Sequence, residues 1–209
     1  MKKLILLLVL IFCTVISAKQ SSESDKKEML KQFIIFQEAV KNKDSKVLAS
    51  MIDLSVEYNN AIMLDSEGNF PKGVDFGTPL TEKLINTNIG RVIGNLQYLT
   101  YIKIDTATLR ITDYFRDNAS AKDKKRKYYQ KGAEVGYYYK DENNKEVYHA
   151  ICDLKVSGEF SDNGILEITN RSLPNELTPL ASEDCEREVY YHFKLINNKL
   201  KLYEVQMAG

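Results

Sequence analysis

Residues 189–207 read VYYHFKLINNKLKLYEVQM, and this stretch decides the fold. Before its two asparagines, apolar and polar residues alternate, which is the period of a β-strand with one buried face. Asn197 and Asn198 then form a turn signal, because asparagine tolerates the positive φ angles of a two-residue hairpin loop. The stretch therefore predicts two antiparallel strands, over residues 189–196 and 200–207.

The apolar pattern changes phase on the returning strand. Leu200 and Leu202 share one face, whereas Tyr203, Val205 and Met207 continue the pattern one residue out of step. Such a shift would turn the apolar side chains to the opposite face of a regular strand. A β-bulge at Leu202–Tyr203 would restore the inward face and bend the strand, so we expect a bulge here and a curved sheet.

The rest of the chain divides into helices followed by strands. Apolar residues at helical spacing predict helices over residues 26–42, 45–52 and 78–96, the second of them capped by Asp44. Residues 161–164 predict another hairpin loop. The fold class is therefore α+β, with N-terminal helices packed against a curved antiparallel sheet. The strands predicted upstream of the last hairpin are 54–58, 98–104, 109–115, 135–139, 147–160 and 165–169.

The N-terminal segment 1–18 has the three-part layout of an export signal. A pair of lysines precedes an apolar run, and small residues precede the expected cleavage site after Ala18. The run is shorter than the roughly 20 apolar residues of a transmembrane helix. Bulky Phe12 stands before Cys13, which disfavours a lipid-modified cysteine. We therefore expect a bacterial protein released into the periplasm or secreted.

The mature chain has the length of one domain. Residues 19–27 are polar and predict a flexible tether, which leaves residues 28–209 as a single α+β domain. After cleavage, Cys152 and Cys185 are the remaining cysteines, and an even pair in an oxidising compartment favours a disulfide. A redox pair and a pair of metal ligands are the alternatives, which the spacing and the scarcity of histidine disfavour.

The charge balance argues against a nucleic-acid partner. The chain has 29 Lys and Arg against 29 Asp and Glu, so no global positive field exists. A basic run interleaved with tyrosines is the strongest local feature. It is either a solvated loop between strands or a surface for lipid phosphates, an anionic glycan or an acidic protein. Its members are Lys124, Lys125, Arg126, Lys127, Tyr128 and Tyr129.

Two parts of the chain together carry a family resemblance: residues 33–44 with 48–53, and residues 191–195 with 200–209. They resemble exported proteins of the nuclear transport factor 2-like (NTF2-like) superfamily, also called SnoaL-like. The resemblance implies a curved antiparallel sheet wrapped around helices into a cone with a pocket. The superfamily's enzymes place an Asp or an Asp–His pair inside that cone, and no position of this chain aligns with either.

Two histidines are the candidate catalytic residues. His149 and His192 lie on predicted strands, and imidazole is suited to general-base chemistry near neutral pH. The alternative is an exposed or hydrogen-bonded strand histidine. The chain carries no calcium loop, zinc motif, glycine-rich phosphate loop or nucleophile elbow, so no metal or cofactor is predicted.

These observations favour a non-enzymatic binding or interaction module that takes a small ligand or a protein partner. One specific version is a toxin-neutralising immunity protein. The first alternative is a small-molecule isomerase, dehydratase or hydrolase with a pocket histidine beside an Asp or Glu. The second alternative is a structural domain associated with the cell envelope.

Overall fold

The structure is a computed structural model of the 209-residue chain. In the described part of the chain, four α-helices precede ten β-strands, which confirms the α+β class. Within that part, no helix combines the length and apolar character needed to cross a membrane. The predicted export signal, with Cys13, and Lys124–Lys127 lie outside the described residues. The described residues are 22–65, 68–118, 128–131, 134–140, 144–175, 185 and 187–208.

The first helix begins inside the predicted tether. The Ser22 hydroxyl accepts a hydrogen bond from the Asp25 amide, and the Asp25 carboxylate accepts one from the Ser22 amide. This reciprocal capping box starts a helix at its first turn. Lys26 also lies over the ring of Phe160, 5.3 Å from its centroid. Residues 23–27 therefore belong to the helix rather than to a tether.

Local capping also sets the other helices. Asp44 caps the second helix as predicted, by accepting from the Val47 amide. The single helix predicted over 78–96 is instead two helices. Thr81 caps the first, and the helical conformation is interrupted at Asn88. The helices are α1 (Glu23–Asn42), α2 (Ser45–Met51), α3 (Glu82–Thr87) and α4 (Ile89–Leu96), with 3₁₀ helices at Glu57–Met63 and Gln97–Thr100.

The strand predicted over residues 54–58 is wrong, since the chain enters the 3₁₀ helix Glu57–Met63 there. Two buried asparagines account for the difference. Asn59 donates its side-chain amide to the carbonyls of Asp53 and Leu202, and Asn60 donates to those of Asp75 and Thr78. These bonds hold the segment as a tight turn against the sheet, and side-chain bonds of this kind compete with strand pairing.

The strands form three antiparallel sheets. The main sheet has five strands in the order β10-β9-β8-β7-β3, β1 pairs with β2, and β4, β5 and β6 form a separate sheet. The segment predicted as one strand over 147–160 is interrupted at 151–152, and the one over 109–115 is interrupted at Asp113. The bounds are β1 (Lys103–Asp105), β2 (Arg110–Thr112), β3 (Tyr114–Arg116), β4 (Tyr128–Lys131), β5 (Glu134–Lys140), β6 (Glu146–Ala150), β7 (Asp153–Phe160), β8 (Leu166–Leu173), β9 (Glu188–Ile196) and β10 (Lys199–Ala208).

The hairpin and the bulge predicted from residues 189–207 are both present. Asn197 and Asn198 have φ angles of 52° and 60°, as a two-residue turn between antiparallel strands requires. The register shifts between Leu202 and Glu204, so Tyr203 is the extra residue of the bulge. Both Leu202 and Val205 are consequently buried on the same face of the sheet.

The helices cover one face of the five-stranded sheet, here called the inner face. The rings of Phe33 and Phe36 meet the Phe193 ring edge-on, each at 5.1 Å between centroids. The hydroxyl of Tyr191 donates to the Asn95 carbonyl at 2.9 Å. Burial raises the pKa of that hydroxyl far above its ordinary value, so it stays a donor. The core of the protein lies between this face and α1 with α4.

Cys152 and Cys185 form a disulfide, with their Cα atoms 5.3 Å apart. The bridge joins the residue before β7 to the segment that leads into β9, and Cys185 is fully buried. Closing a loop of this length stabilises a fold by about 3–4 kcal/mol in the chain-entropy model. The bridge therefore ties the beginnings of two strands that are separated by β8 in the sheet.

Candidate functional site

The candidate site lies on the other face of the five-stranded sheet, here called the outer face. Successive residues of a strand point to opposite faces, so the neighbours of the buried inner residues point outward. Among the described residues of this face, none is fully buried, and most are polar, charged or aromatic. They include Lys155, Ser157, Glu159, Glu167, Thr169, Arg171, Tyr190, His192, Lys194, Glu204 and Gln206.

His192 is at the centre of the outer face, between two carboxylates. Its Nδ1 lies 3.0 Å from Oε2 of Glu204, and its Nε2 lies 3.0 Å from Oε2 of Glu167. The strand register produces this arrangement, since both glutamates stand directly opposite His192 on the neighbouring strands β10 and β8. We call the three residues the His192 cluster.

Both ring nitrogens of His192 face carboxylates. A neutral imidazole has one N–H and can donate to one carboxylate, whereas an imidazolium has two and can donate to both. In either state, each ring nitrogen lies 3.0 Å from a glutamate oxygen. The two carboxylates also approach opposite sides of the ring, so the three groups do not converge on one point. In the described part of the chain, no group of three or more His, Cys, Asp or Glu could hold a metal ion.

Neighbouring side chains hold the His192 cluster in place. Hydrogen bonds from the side chains of Gln206 and His192 hold the pKa of the Glu204 carboxyl below its usual range, so Glu204 is ionised near neutral pH. Tyr203 stacks near the His192 ring at 6.0 Å between centroids, and the Lys194 ammonium lies 3.9 Å from the Tyr203 ring centroid. The rings and charges of this face are thus packed against one another.

A second group of hydrogen bonds and ion pairs lies nearer the beginning of β9. The Tyr190 hydroxyl donates to the Glu188 carboxylate, which raises the pKa of the hydroxyl. Arg171 on β8 forms an ion pair with the same carboxylate. Tyr190 also lies beside the His192 ring, 6.5 Å between centroids. Tyr190 is therefore anchored at its polar end.

A groove of about 400 Å³ opens at the edge of the sheet, along β10. Phe76 and Met207 are each 47% exposed there. The Phe76 ring is held edge-on against Phe70, 4.7 Å between centroids. Glu204 lines this groove and also contacts His192, so the groove and the His192 cluster share one carboxylate. The lining residues are Ala61, Phe76, Glu204, Val205, Gln206 and Met207.

The other residues predicted as site candidates lie elsewhere. His149 is on β6, where it pairs with Tyr137, and its side chain lies outside what the structure describes. Tyr128 and Tyr129 begin β4 and pair with β5, so these two tyrosines are in a strand rather than in a loop. Because β6 and β9 belong to different sheets, the two histidines do not share a strand network.

Sequence reasoning named His192 but missed its partners. Glu204 could have been found, because the predicted turn and bulge together place it opposite His192 across the hairpin. Glu167 carries no comparable signal, since the register of β8 against β9 depends on a connection longer than a tight turn. The groove was missed because Phe76 comes from a loop that is distant in sequence from β10.

No protein-family model, curated protein or solved structure matches this chain. The contacts of the outer face and of the groove beside it are the features of this chain that bear on function.

Proposed function

We propose that the protein is an extracytoplasmic, non-enzymatic binding module of the NTF2-like kind. It uses the outer face of its five-stranded sheet, with the neighbouring groove, to bind a protein partner or a small ligand. The export signal expected over residues 1–18 supports the compartment, and so does the disulfide between Cys152 and Cys185. The order of helices and antiparallel strands agrees with the proposed fold.

The observation that carries the proposal is the ordering of partly exposed aromatic side chains. Tyr190, His192 and Tyr203 form a row whose members are anchored by hydrogen bonds, ring contacts or a cation. Tyrosine offers a large apolar surface with a polar tip, which favours it at binding surfaces. Side chains that are already held in place lose less conformational entropy when a partner binds. The outer face has the properties of a preorganised binding surface.

The same geometry argues against the enzyme alternative. A general base needs a nitrogen lone pair within reach of a substrate proton. Both ring nitrogens of His192 lie 3.0 Å from glutamate oxygens, and the groove is lined by Glu204 rather than by the ring. His192 thus acts as a link between three strands, which supports a binding role for the face that it holds together.

Co-purification from an envelope extract of the source organism tests the proposal. The disulfide-bonded protein is immobilised beside a variant with Tyr190→Ala and Tyr203→Ala. The control is Ile35→Ala, because Ile35 is 55% exposed on α1 and lies on the far side of the molecule's core from the outer face. We expect a protein or small molecule, identified by mass spectrometry, that the wild type and the control retain and the double variant loses. Equal retention by all three proteins would contradict the proposed surface.

A further inference from the structure

Strand β10 is an edge strand of the five-stranded sheet, and the edge that faces away from β9 is only partly covered. At Leu202 the edge is occupied, since Ile52 forms a parallel bridge there and the Asp53 amide and the Asn59 side chain both donate to the Leu202 carbonyl. Beyond the bulge, in the part of the chain that the structure describes, residues 204–208 pair with β9 alone. Alternate backbone groups of such an edge point away from the sheet and can pair with another strand.

The groove runs along this open part of β10 and has two kinds of lining. Val205, Met207, Ala61 and Phe76 provide apolar surface, whereas Glu204 and Gln206 are polar. The polar and apolar positions alternate along the strand, because successive residues point to opposite faces. Glu204 is the charged group of the lining and is held ionised by its neighbours. The groove therefore suits a partner that is apolar on one side and cationic on the other.

We propose that β10 binds an extended peptide segment with alternating apolar and basic side chains, which adds to the sheet as a further strand beside Glu204–Met207. This inference rests on the proposed function and names the class of partner. Main-chain hydrogen bonds to the edge supply affinity in this mode, and the alternate side chains supply specificity. The apolar side chains of the segment pack on Met207 and Phe76, and a Lys or Arg side chain reaches the Glu204 carboxylate.

The other neighbour of β10 shows which side chains this strand accepts across a pair. Glu204 of β10 stands opposite the imidazole of His192 on β9, and Met207 of β10 stands opposite apolar Val189 on β9. Opposite charges and apolar pairs at directly facing positions stabilise neighbouring strands. An alternating apolar and basic segment repeats this pattern on the open side of β10.

A second copy of the chain is a poorer occupant than a basic segment. Between Tyr203 and Ala208, β10 contains no Lys, Arg or His, so its own edge offers Glu204 no cation. A small amine is also poorer, since it leaves the backbone groups of the edge unpaired.

A defined peptide tests this inference directly. The probe is a short synthetic peptide of alternating valine and lysine with blocked ends, titrated by calorimetry into the disulfide-bonded protein. Its controls are a valine–glutamate peptide and a valine–lysine peptide that is N-methylated at alternate residues, which removes main-chain donors and leaves the charge. We expect binding of the first peptide, loss of binding with the other two, and hydrogen-exchange protection confined to residues 204–208.

Two matched variants separate the groove from the His192 cluster. Glu204→Gln and Glu167→Gln each remove one carboxylate from His192, but Glu204 alone of the two lines the groove. We expect Glu204→Gln to weaken peptide binding about tenfold, since bonds to charged groups are the stronger ones. We expect Glu167→Gln to weaken it clearly less, because Glu167 does not line the groove and reaches Glu204 only through His192. If Glu204→Gln does not fold, the methylated peptide still decides the question on the wild-type protein.

Several outcomes would overturn the inference. Equal binding of the methylated peptide would show adsorption by charge, and equal binding of lysine amide would show a small-cation site. A concentration-dependent dimer that Met207→Glu abolishes would show a second copy in the groove. Absence of any peptide binding, together with retention of another partner by the outer face, would reject this inference and leave the proposed function intact.

Discussion

The two faces of the five-stranded sheet are built from alternate residues of the same strands, yet different forces hold them. On β9, Tyr191 and Phe193 are buried under α1 and α4, whereas His192 between them is bonded to two carboxylates. The inner face gains stability from apolar area and close packing. The outer face gains little from its exposed charge pairs, but these pairs fix the positions of its side chains.

This difference separates stability from recognition along a single strand. A substitution on the inner face should change the free energy of unfolding, whereas one on the outer face should change binding and leave folding almost intact. Each of the following substitutions tests that division, and the first three are each compared with a residue of the outer face.

Phe193→Ala should give the largest effect. The Phe193 ring is fully buried between Phe33 and Phe36, so its removal leaves a cavity and costs about 3–5 kcal/mol. The control is the adjacent His192→Ala, which should cost about 1 kcal/mol or less because its partners are partly exposed. Urea denaturation measures both values. Equal losses would break the proposed division between the faces.

Gly158→Ala should cost about 1–3 kcal/mol, as overpacking of a core does. A Cβ at Gly158 would lie 2.7 Å from Cδ1 of Ile168 and 2.9 Å from Cγ2 of Ile111, so these two buried or half-buried side chains must move. Ser157→Ala, one residue away on the outer face, is the control and should change stability by less than about 0.5 kcal/mol. A thermal melt of each variant checks the ranking, which would be refuted by an unchanged Gly158→Ala protein.

Tyr191→Phe should cost about 1 kcal/mol, the net value of a typical intramolecular hydrogen bond. The substitution removes the bond to the Asn95 carbonyl and keeps the buried ring. Tyr203→Phe is the matched change on the bulge, where the ring is partly exposed, and should have no measurable effect on unfolding. A larger loss from Tyr203→Phe than from Tyr191→Phe would reverse the comparison.

The smallest effect should be a pH dependence that arises from Glu204. Its pKa in the folded protein is held below the ordinary value of 4.5, chiefly by the Gln206 side chain and further by His192. A lowered pKa contributes stability that is present above the unfolded value and is lost as the pH falls through the folded one. Unfolding measured across the acidic range should therefore show a dependence that Glu204→Gln reduces. An identical acid profile in Glu204→Gln would show that the carboxylate contributes nothing.

The local features of the fold could be predicted from the sequence, because short stretches determine them. Asp44 caps α2, the asparagine pair turns the last hairpin, and the phase change at Leu202–Tyr203 marks the bulge. The Glu57–Met63 helix was not predicted, since its asparagines bond to carbonyls that tertiary structure brings to them.

The same difference between local features and contacts made by tertiary structure applies to the candidate site. His192 was identified by its residue type and by its strand, and Glu204 lies within the same hairpin. Glu167 and Phe76 come from distant segments; only the assembled sheet brings Glu167 beside His192, and only the folded loop brings Phe76 beside β10. The disulfide could be predicted without knowledge of the fold, because the expected compartment and the number of cysteines indicated it.

The bulge at Tyr203 also tells where the chain tolerates a change in length. Without Tyr203, Leu202, Glu204 and Val205 would alternate as a regular strand and keep their partners on β9. A deletion of this one residue should therefore remove a bend and the cation contact of Lys194 while every other pairing survives. Tyr203 is in this sense an insertion that the sheet has absorbed, and homologous chains are expected to gain or lose a residue at this point sooner than elsewhere in β10.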